Sequence, residues 1–337
     1  MSPRVAERPK VSVLISCYNL GRYLDEAVDS VLAQSCQDFE IVVVNDGSTD
    51  PPTGALLADF RRPKTRVIQA PHVGLAAARN LAIANSTGEY LCALDADDRL
   101  EPSFLSKTVA VLDRDPSVAF VSTWLRTFGD EEWEWKPERC DLPTLLWENT
   151  VLTAALVRRG AVEAVGGYDT KMPVQGDEDW DLWLTLVEHG YRGAILRELL
   201  FHYRRRPGSM SSICWHGPGH VPLAGYRTAK HYDSYRVFLF DVLLHQDAET
   251  AALLRRNDEI ERYIASELEP TIALRREELG SLKSRLAQPG SGRRDELEAA
   301  LHAASAEVIA LRTSLSWRLT APLREAYGWW LRWRSLS

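Results

Sequence analysis

Asp95 and Asp97 flank one residue where the apolar run Tyr90 to Asp95 stops abruptly in Asp95-Ala96-Asp97-Asp98. Two carboxylates at that spacing can converge on a divalent cation that prefers oxygen ligands, Mg2+ or Mn2+, and such an ion can bridge diphosphate oxygens. Turns also favour Asp for its local hydrogen bonds, so the pair needs company before it reads as a site. A second acidic group, Asp177, Glu178, Asp179 and Asp181, opens a stretch in which Trp180, Trp183, Leu184 and Val187 recur at helical spacing. Acids in a first helical turn complement the macrodipole, so some of the four are structural. Arg204, Arg205 and Arg206, with Ser209 and Ser211 behind them, read unaided as a solvated basic loop. His202 and His216 are candidates to complete a metal shell, although an isolated histidine more often serves structure.

The elements that must position these residues alternate at short spacing. Val11 to Tyr18 is an apolar run, and Leu24, Ala27, Val28, Val31 and Leu32 then share one helical face. Phe39 to Asn45 holds Ile41, Val42, Val43 and Val44 unbroken, as in a parallel strand buried on both faces, and the turn Asp46-Gly47-Ser48-Thr49-Asp50 follows. Pro51 and Pro52 after Asp50 predict a capped helix through Phe60, and Arg66 to Gln69 predicts a short strand. Gly74 to Asn85 is an alanine-rich helix, Tyr90 to Asp95 a strand, and Val118 to Thr123 one more. Repeated strand-helix units with acidic residues at strand ends imply a doubly wound α/β sheet, whose ligands bind outside the carboxyl ends of its strands.

Composition limits the alternatives. With 337 residues, 45% hydrophobic and 26% charged, the chain can bury a large core and is neither disordered nor fibrous. A formal charge of −7 argues against a protein devoted to nucleic acid. Five cysteines without a CxxC pair favour neither a disulfide framework nor a zinc cage and read as reduced, mostly buried thiols. No apolar run is long enough to span a bilayer and the first residues lack a secretory h-region, so a cytoplasmic protein is expected.

Five ordered segments together resemble the family 2 glycosyltransferases of GT-A fold: VSVLISCYN (11–19), EIVVVNDGSTD (40–50), GLAAARNLAIANSTGEYLCALDADD (74–98), VGGYD with DEDWDLWL (165–169 and 177–184), and HYRRRPGSMS (202–211). The resemblance covers roughly residues 9 to 212. It implies a mixed, mostly parallel doubly wound sheet with helices on both faces. It also implies an inverting transfer of sugar from a nucleotide diphosphate donor, UDP-linked by expectation, to a hydroxyl of a glycan or lipid-linked acceptor in surface-polysaccharide synthesis.

By the same resemblance, Tyr18 stacks on the donor base and Asp46 accepts from the uracil N–H, where the alternatives are a core tyrosine and a turn-capping aspartate. Arg79 pairs with the diphosphate or holds an acidic residue in place, Asp95 serves the ribose or the metal shell, and Asp97 ligates the Mn2+ or Mg2+. Asp179 is the implied general base, with Glu178 as runner-up. Arg204, Arg205, Arg206, Ser209 and Ser211 lie on a segment that in relatives closes over the diphosphate. Asn45 stands where the family often has Asp, and Thr185 where an Arg often follows Trp-Leu.

The expected domains are 1–225 for the transferase, 226–316 for a helical extension, and 317–337 for a basic tail. Leu297, Leu301, Ala304, Val308, Leu311 and Leu315 form a short heptad seam that suits a hairpin or a homo-oligomer stalk. The tail carries Trp317, Trp329, Trp330 and Trp333 with four arginines against one glutamate, a mixture suited to a membrane surface or to packing on protein. A sugar nucleotidyltransferase is disfavoured because SCYNLG lacks a glycine-rich phosphate loop. The alternative from another class is a degenerate transferase-like scaffold, against which the intact Asp95, Asp97 and Asp179 argue.

Overall fold

The computed structural model describes residues 8–206, 209–210, 220–286, 299–300 and 302–306. Packing divides the chain into two units, Met1–Leu243 and Leu244–Ser337. The described part of the first holds a single sheet of β1 (Val11–Cys17), β2 (Phe39–Asp46), β3 (Thr65–Ala70), β4 (Tyr90–Asp95), β5 (Arg99–Leu100), β6 (Val118–Gly129), β7 (Glu134–Trp135), β8 (Leu156–Arg158) and β9 (Arg192–Arg205). Their order is β3-β2-β1-β4-β8-β6-β9-β5, with β7 paired to β6. Strands β3, β2, β1 and β4 run parallel, β8 is antiparallel to both β4 and β6, and β6 and β9 are parallel. The order reverses between β1 and β4, and such a switch point opens a crevice at the carboxyl ends of the two strands. The register sets Ser16 beside Asp95 and Cys17 beside Asn45, so the three β-strand ends that carry the first predicted site residues are neighbours.

Period-two alternation sends the strand side chains to two cores. Val11, Val13 and Ile15 meet Leu24, Val28 and Val31 of α1 (Gly21–Leu32) and Phe104, Leu105 and Leu112 of α4 (Phe104–Arg114). Leu14, Val42 and Val44 belong to the other core with Ala78 and Ala82 of α3 (Leu75–Ala84) and Trp183 and Leu184 of α7 (Glu178–Glu188). Each fully buried aliphatic side chain contributes about 1.5–3 kcal/mol relative to exposure, which fixes the strand ends in place. Between β2 and β3, α2 (Pro51–Ala58) starts as predicted: Asp50 accepts from the Thr53 N–H at 3.0 Å and Pro51 occupies the first turn. Two short helices, α5 (Leu142–Trp147) and α6 (Arg159–Ala164), complete the α7 face.

Two further helices of this unit, α8 (His220–Lys230) and α9 (Tyr232–Val237), dock on α7 through charge. Lys230 pairs with Asp169 and Asp181 at 2.7 Å each, and the buried His231 between the helices bonds Asp181 and Glu188 at 3.1 and 2.7 Å. Helix α10 (Leu239–Tyr263) begins in the first unit and continues in the second, where a π-helical turn, Ile264–Leu268, leads into α11 (Glu269–Leu286) and Ile264, Leu268 and Ile272 are buried. Among the described residues no helix is long and apolar enough to cross a membrane. The heptad positions other than Ala304, and the whole tail 317–337, lie outside the described residues. Cys17, Cys92 and Cys140 are buried free thiols, which burial pushes up to about 11, 12 and 11.

Candidate active site

The chain leaves β1 through Asn19, at φ 57°, whose side-chain oxygen accepts from the backbone N–H groups of Thr49 and Asp50 at 2.7 and 3.0 Å. This ties the residue after Tyr18 to the loop that follows β2. Tyr18 is left 39% exposed with its ring stacked on His72, centroids 4.3 Å apart. Asp46 lies beneath them, 3% exposed, accepting from the N–H groups of Val73 and Gly74 at 2.7 and 3.1 Å, with His72 Nδ1 3.0 Å from its carboxylate. Its carboxylate therefore organises the 72–74 turn in this structure. Gly47, at φ +64°, has no room for a Cβ, which would sit 2.4 Å from the His72 nitrogen. Asn45 caps the same turn by accepting from the Ser48 N–H at 3.0 Å, and its amide donates to Gln69 at 2.7 Å. An aspartate could do the first but not the second, which gives this departure from the family pattern a physical reason.

Around the end of β4 three carboxylates crowd together. Asp95 is held by the Arg79 guanidinium at 2.8 Å, and the other arm of Arg79 reaches Glu178 at 2.5 Å. Arg79 is only 2% exposed, so of the two duties expected of it, its geometry is that of holding acidic residues in place. Burial, reinforced by the charge of Asp95, raises Asp97 above the usual carboxylate range although Arg206 lies 2.7 Å away. Burial and both neighbouring aspartates raise Asp98 well above that range, while its carboxylate accepts from the Arg204 N–H at 2.8 Å. Arg204 also donates to the Asp97 carbonyl at 2.9 Å, pairs with Glu26, and lies over the Tyr23 and Phe128 rings. The basic stretch is thus fastened to the acidic turn, and Ser209, nearly buried, closes back on the Arg206 carbonyl at 3.4 Å.

Carboxylate oxygens suit Mg2+ or Mn2+, and of the three at this turn Asp95 and Asp97 are the candidates to hold one, since Asp98 is buried and accepts from the Arg204 N–H. Among the described residues no group of three His, Cys, Asp or Glu side chains forms a ready-made cage, so the remaining ligands would be water and donor oxygens. His202 is spoken for: its Nε2 lies 2.5 Å from Glu101 and its ring meets Phe128 edge-on. His216 lies outside the described residues.

The acidic cluster on α7 separates into distinct duties. Glu178 is buried, bonded to Arg79 and to the Gly176 N–H at 3.2 Å, and burial with the adjacent Asp179 raises it against the pull of Arg79. Asp177 takes a left-handed conformation at φ 60° and is held by an ion pair to the buried Arg227, whose guanidinium covers Trp180 at 3.4 Å. Asp181 is the buried partner of Lys230 and His231. Asp179 instead meets neutral donors: the Thr153 hydroxyl at 2.7 Å, the Asn149 amide at 3.4 Å and the Trp180 N–H at 2.8 Å. It lines a cavity of about 500 Å3 together with Arg79, Asp95, Glu178, Trp133 and Trp135. Sequence reasoning did not find His72, Asn149, Thr153 or the two tryptophans. For the last the signal is the alternation Glu132-Trp133-Glu134-Trp135 at a sheet edge.

A sheet with this switch point, acidic turn and α7 cluster is the GT-A architecture, and the profile of the family described as "Glycosyl transferase family 2" matches residues 12–200. The chain belongs to that family and is a glycosyltransferase. It is 31% identical over 210 residues to the glycosyltransferase-family protein EpsE of Bacillus subtilis (strain 168), covering 58% of this chain and 73% of that one. It is 30% identical over 196 residues to chondroitin synthase of Pasteurella multocida, covering 54% of this chain and 19% of the synthase. The crystal structure of S. aureus TarS 1-349 in complex with UDP-GlcNAc shares the fold at TM-score 0.53 and 19% identity, over 90% of this chain and 89% of that one.

Proposed function

We propose that the protein moves a sugar from a UDP-linked donor to a hydroxyl of a glycan or lipid-linked acceptor, with inversion at the anomeric carbon, in the synthesis of a cell-surface polysaccharide. The observation that carries this reading is the split between two adjacent carboxylates. Glu178 is consumed by the buried Arg79, whereas Asp179 faces the cavity and, among the described residues, its carboxylate is met by neutral donors: the Thr153 hydroxyl, the Asn149 amide and the Trp180 N–H. A general base needs such a lone pair within reach of the acceptor proton.

Asp179 takes the proton as the acceptor oxygen attacks, and the bond to the diphosphate breaks on the opposite face of the sugar. Tyr18 supports the base by stacking, and Asp46 receives its N–H or, through the 72–74 turn, shapes its seat. Arg79 acts at one remove, orienting Asp95 while it neutralises Glu178. Arg204, Arg206 and Ser209 lie on the segment beside the acidic turn and supply charge-assisted donors to the diphosphate. Asp95 and Asp97 would hold one Mg2+ or Mn2+, which when bound offsets the charge building on the leaving group. UDP-GlcNAc bound to the TarS of the same fold, and the chondroitin synthase among the relatives, support the donor class and the polymer context. UDP release from a panel of UDP-sugars tests the proposal: Asp179→Asn should lower kcat by about 10^2–10^4 without weakening UDP binding. Turnover equal to wild type would remove Asp179 from the chemistry.

A further inference from the structure

The cavity that Asp179 lines is walled on another side by the hairpin of β6 and β7, and this hairpin presents Trp133 with 45% of its surface exposed. Trp135 packs its ring on the core beside it, and Tyr203 of β9 adds a third aromatic wall. Trp133, Trp135 and Tyr203 thus form one aromatic patch on the cavity wall, and a contiguous exposed apolar patch rimmed by polar groups marks a ligand surface.

The hairpin fixes the backbone that carries the Trp133 ring. Thr127 donates its N–H to the Trp133 carbonyl at 2.9 Å, and the Trp133 N–H donates to the Thr127 hydroxyl at 2.8 Å. At the turn Gly129 has φ +97°, and a Cβ there would stand 2.5 Å from the Arg205 carbonyl. The Asp130 N–H donates to the same carbonyl at 3.1 Å, and Arg205 reaches Glu131 at 3.2 Å. The platform is thus pinned to the end of β9, and a surface ordered before binding spares its ligand the cost of ordering it.

Ligand chemistry follows from the walls. A hydrocarbon chain would need a continuous apolar channel, whereas this cavity also presents Asp95, Asp179 and Arg205, whose desolvation by a lipid tail would be costly. A pyranose offers both halves of what is there: an apolar C–H face for the negative face of an indole, and a rim of hydroxyls for carboxylate and guanidinium groups. We propose that Trp133, backed by Trp135 and Tyr203, is the stacking platform for a sugar ring of the acceptor, which makes the acceptor a glycan end and sets its specificity at this hairpin. The proposal rests on the glycosyl-transfer reading above.

The test is binding of the full chain, with UDP and Mn2+ present, to an array of unmodified mono- to tetrasaccharides, alongside calorimetry of UDP alone. Wild type should bind at least one glycan, Trp133→Ala should bind it about ten-fold more weakly or worse, and Trp133→Phe should stay within a few-fold. All three should bind UDP equally, which shows that the variants fold. Equal glycan binding by Trp133→Ala would overturn the platform. So would wild type that binds no glycan, or that binds decyl phosphate in a Trp133-dependent way instead. Failure of wild type to bind UDP would count against the donor reading alone, because the array reports the platform separately.

Discussion

At the scale of single residues, the site turns on which carboxylates are paired. Both Glu178 and Asp179 stand in the first turn of α7, where the dipole favours any acid, so sequence position alone gives them the same electrostatic argument. The distinction comes from Arg79, a residue from α3 that is distant in sequence and buried between Asp95 and Glu178. Removing one partner of a buried ion pair leaves an uncompensated charge, and Glu178→Ala should cost about 3–5 kcal/mol of stability. Urea unfolding measures this directly, and a midpoint unchanged from wild type would mean that Arg79 does not depend on Glu178. The aspartates of the β4 turn were legible because a D-x-D after an apolar run is a local pattern. His72, Asn149 and Thr153 were not, since each is a common residue on a loop and acquires meaning only through what the fold sets beside it.

At the scale of elements, the first four parallel strands were readable because each is a short apolar run bounded by turn residues. Strand β6 runs on to Gly129, past the Thr123 where the apolar pattern fades, and β9 runs from Arg192 to Arg205 without a clear strand pattern at all. The register explains why: Thr123 pairs with Leu196, Trp124 with Leu199 and Leu125 with Phe201, so the extra residues Arg197, Glu198 and Leu200 interrupt the alternation. The docking of α8 and α9 on α7 was equally hidden, because beside the packing of Tyr235 on the core it rests on ion pairs between residues some fifty positions apart, which no local pattern joins. His231 lies between Asp181 and Glu188, and their hydrogen bonds and charges raise it above the ordinary imidazole value of 6.5 although burial alone would lower it. A raised folded value stabilises the protonated form, so this contribution is complete below about pH 6.5 and is lost as pH rises through the folded value. Wild type minus His231→Gln stability should therefore shrink from pH 6 to pH 9 by up to about 1.4 kcal/mol per unit through that window. A difference that stays constant, measured by urea unfolding across the range, would mean that the fold leaves the imidazole at its ordinary value.

At the scale of the whole molecule, the first unit owns the sheet, both cores and every described residue of the candidate site. A chain ended after Leu243 should fold cooperatively and bind UDP with the affinity of the full protein. Aggregation or loss of binding would show that residues 244–337 take part in folding or in the site. The GT-A plan was readable at this scale because five motifs in one order constrain topology far more than any of them does alone, and the family match over residues 12–200 bears out that reading. Acceptor identity was not readable, because the cavity walls come from α3, β4, β6, β7, β9, α7 and the loop at residues 148–153, which no linear pattern joins.

Calorimetric titration of UDP puts the proposed metal-assisted site for a uridine diphosphate group at the end of β4 to the test. UDP should bind wild type in Mn2+, lose that binding with chelator and in Asp97→Ala, and bind more tightly than GDP or dTDP. UDP that fails to bind at millimolar concentration, or that binds equally with chelator and in the variant, would contradict it.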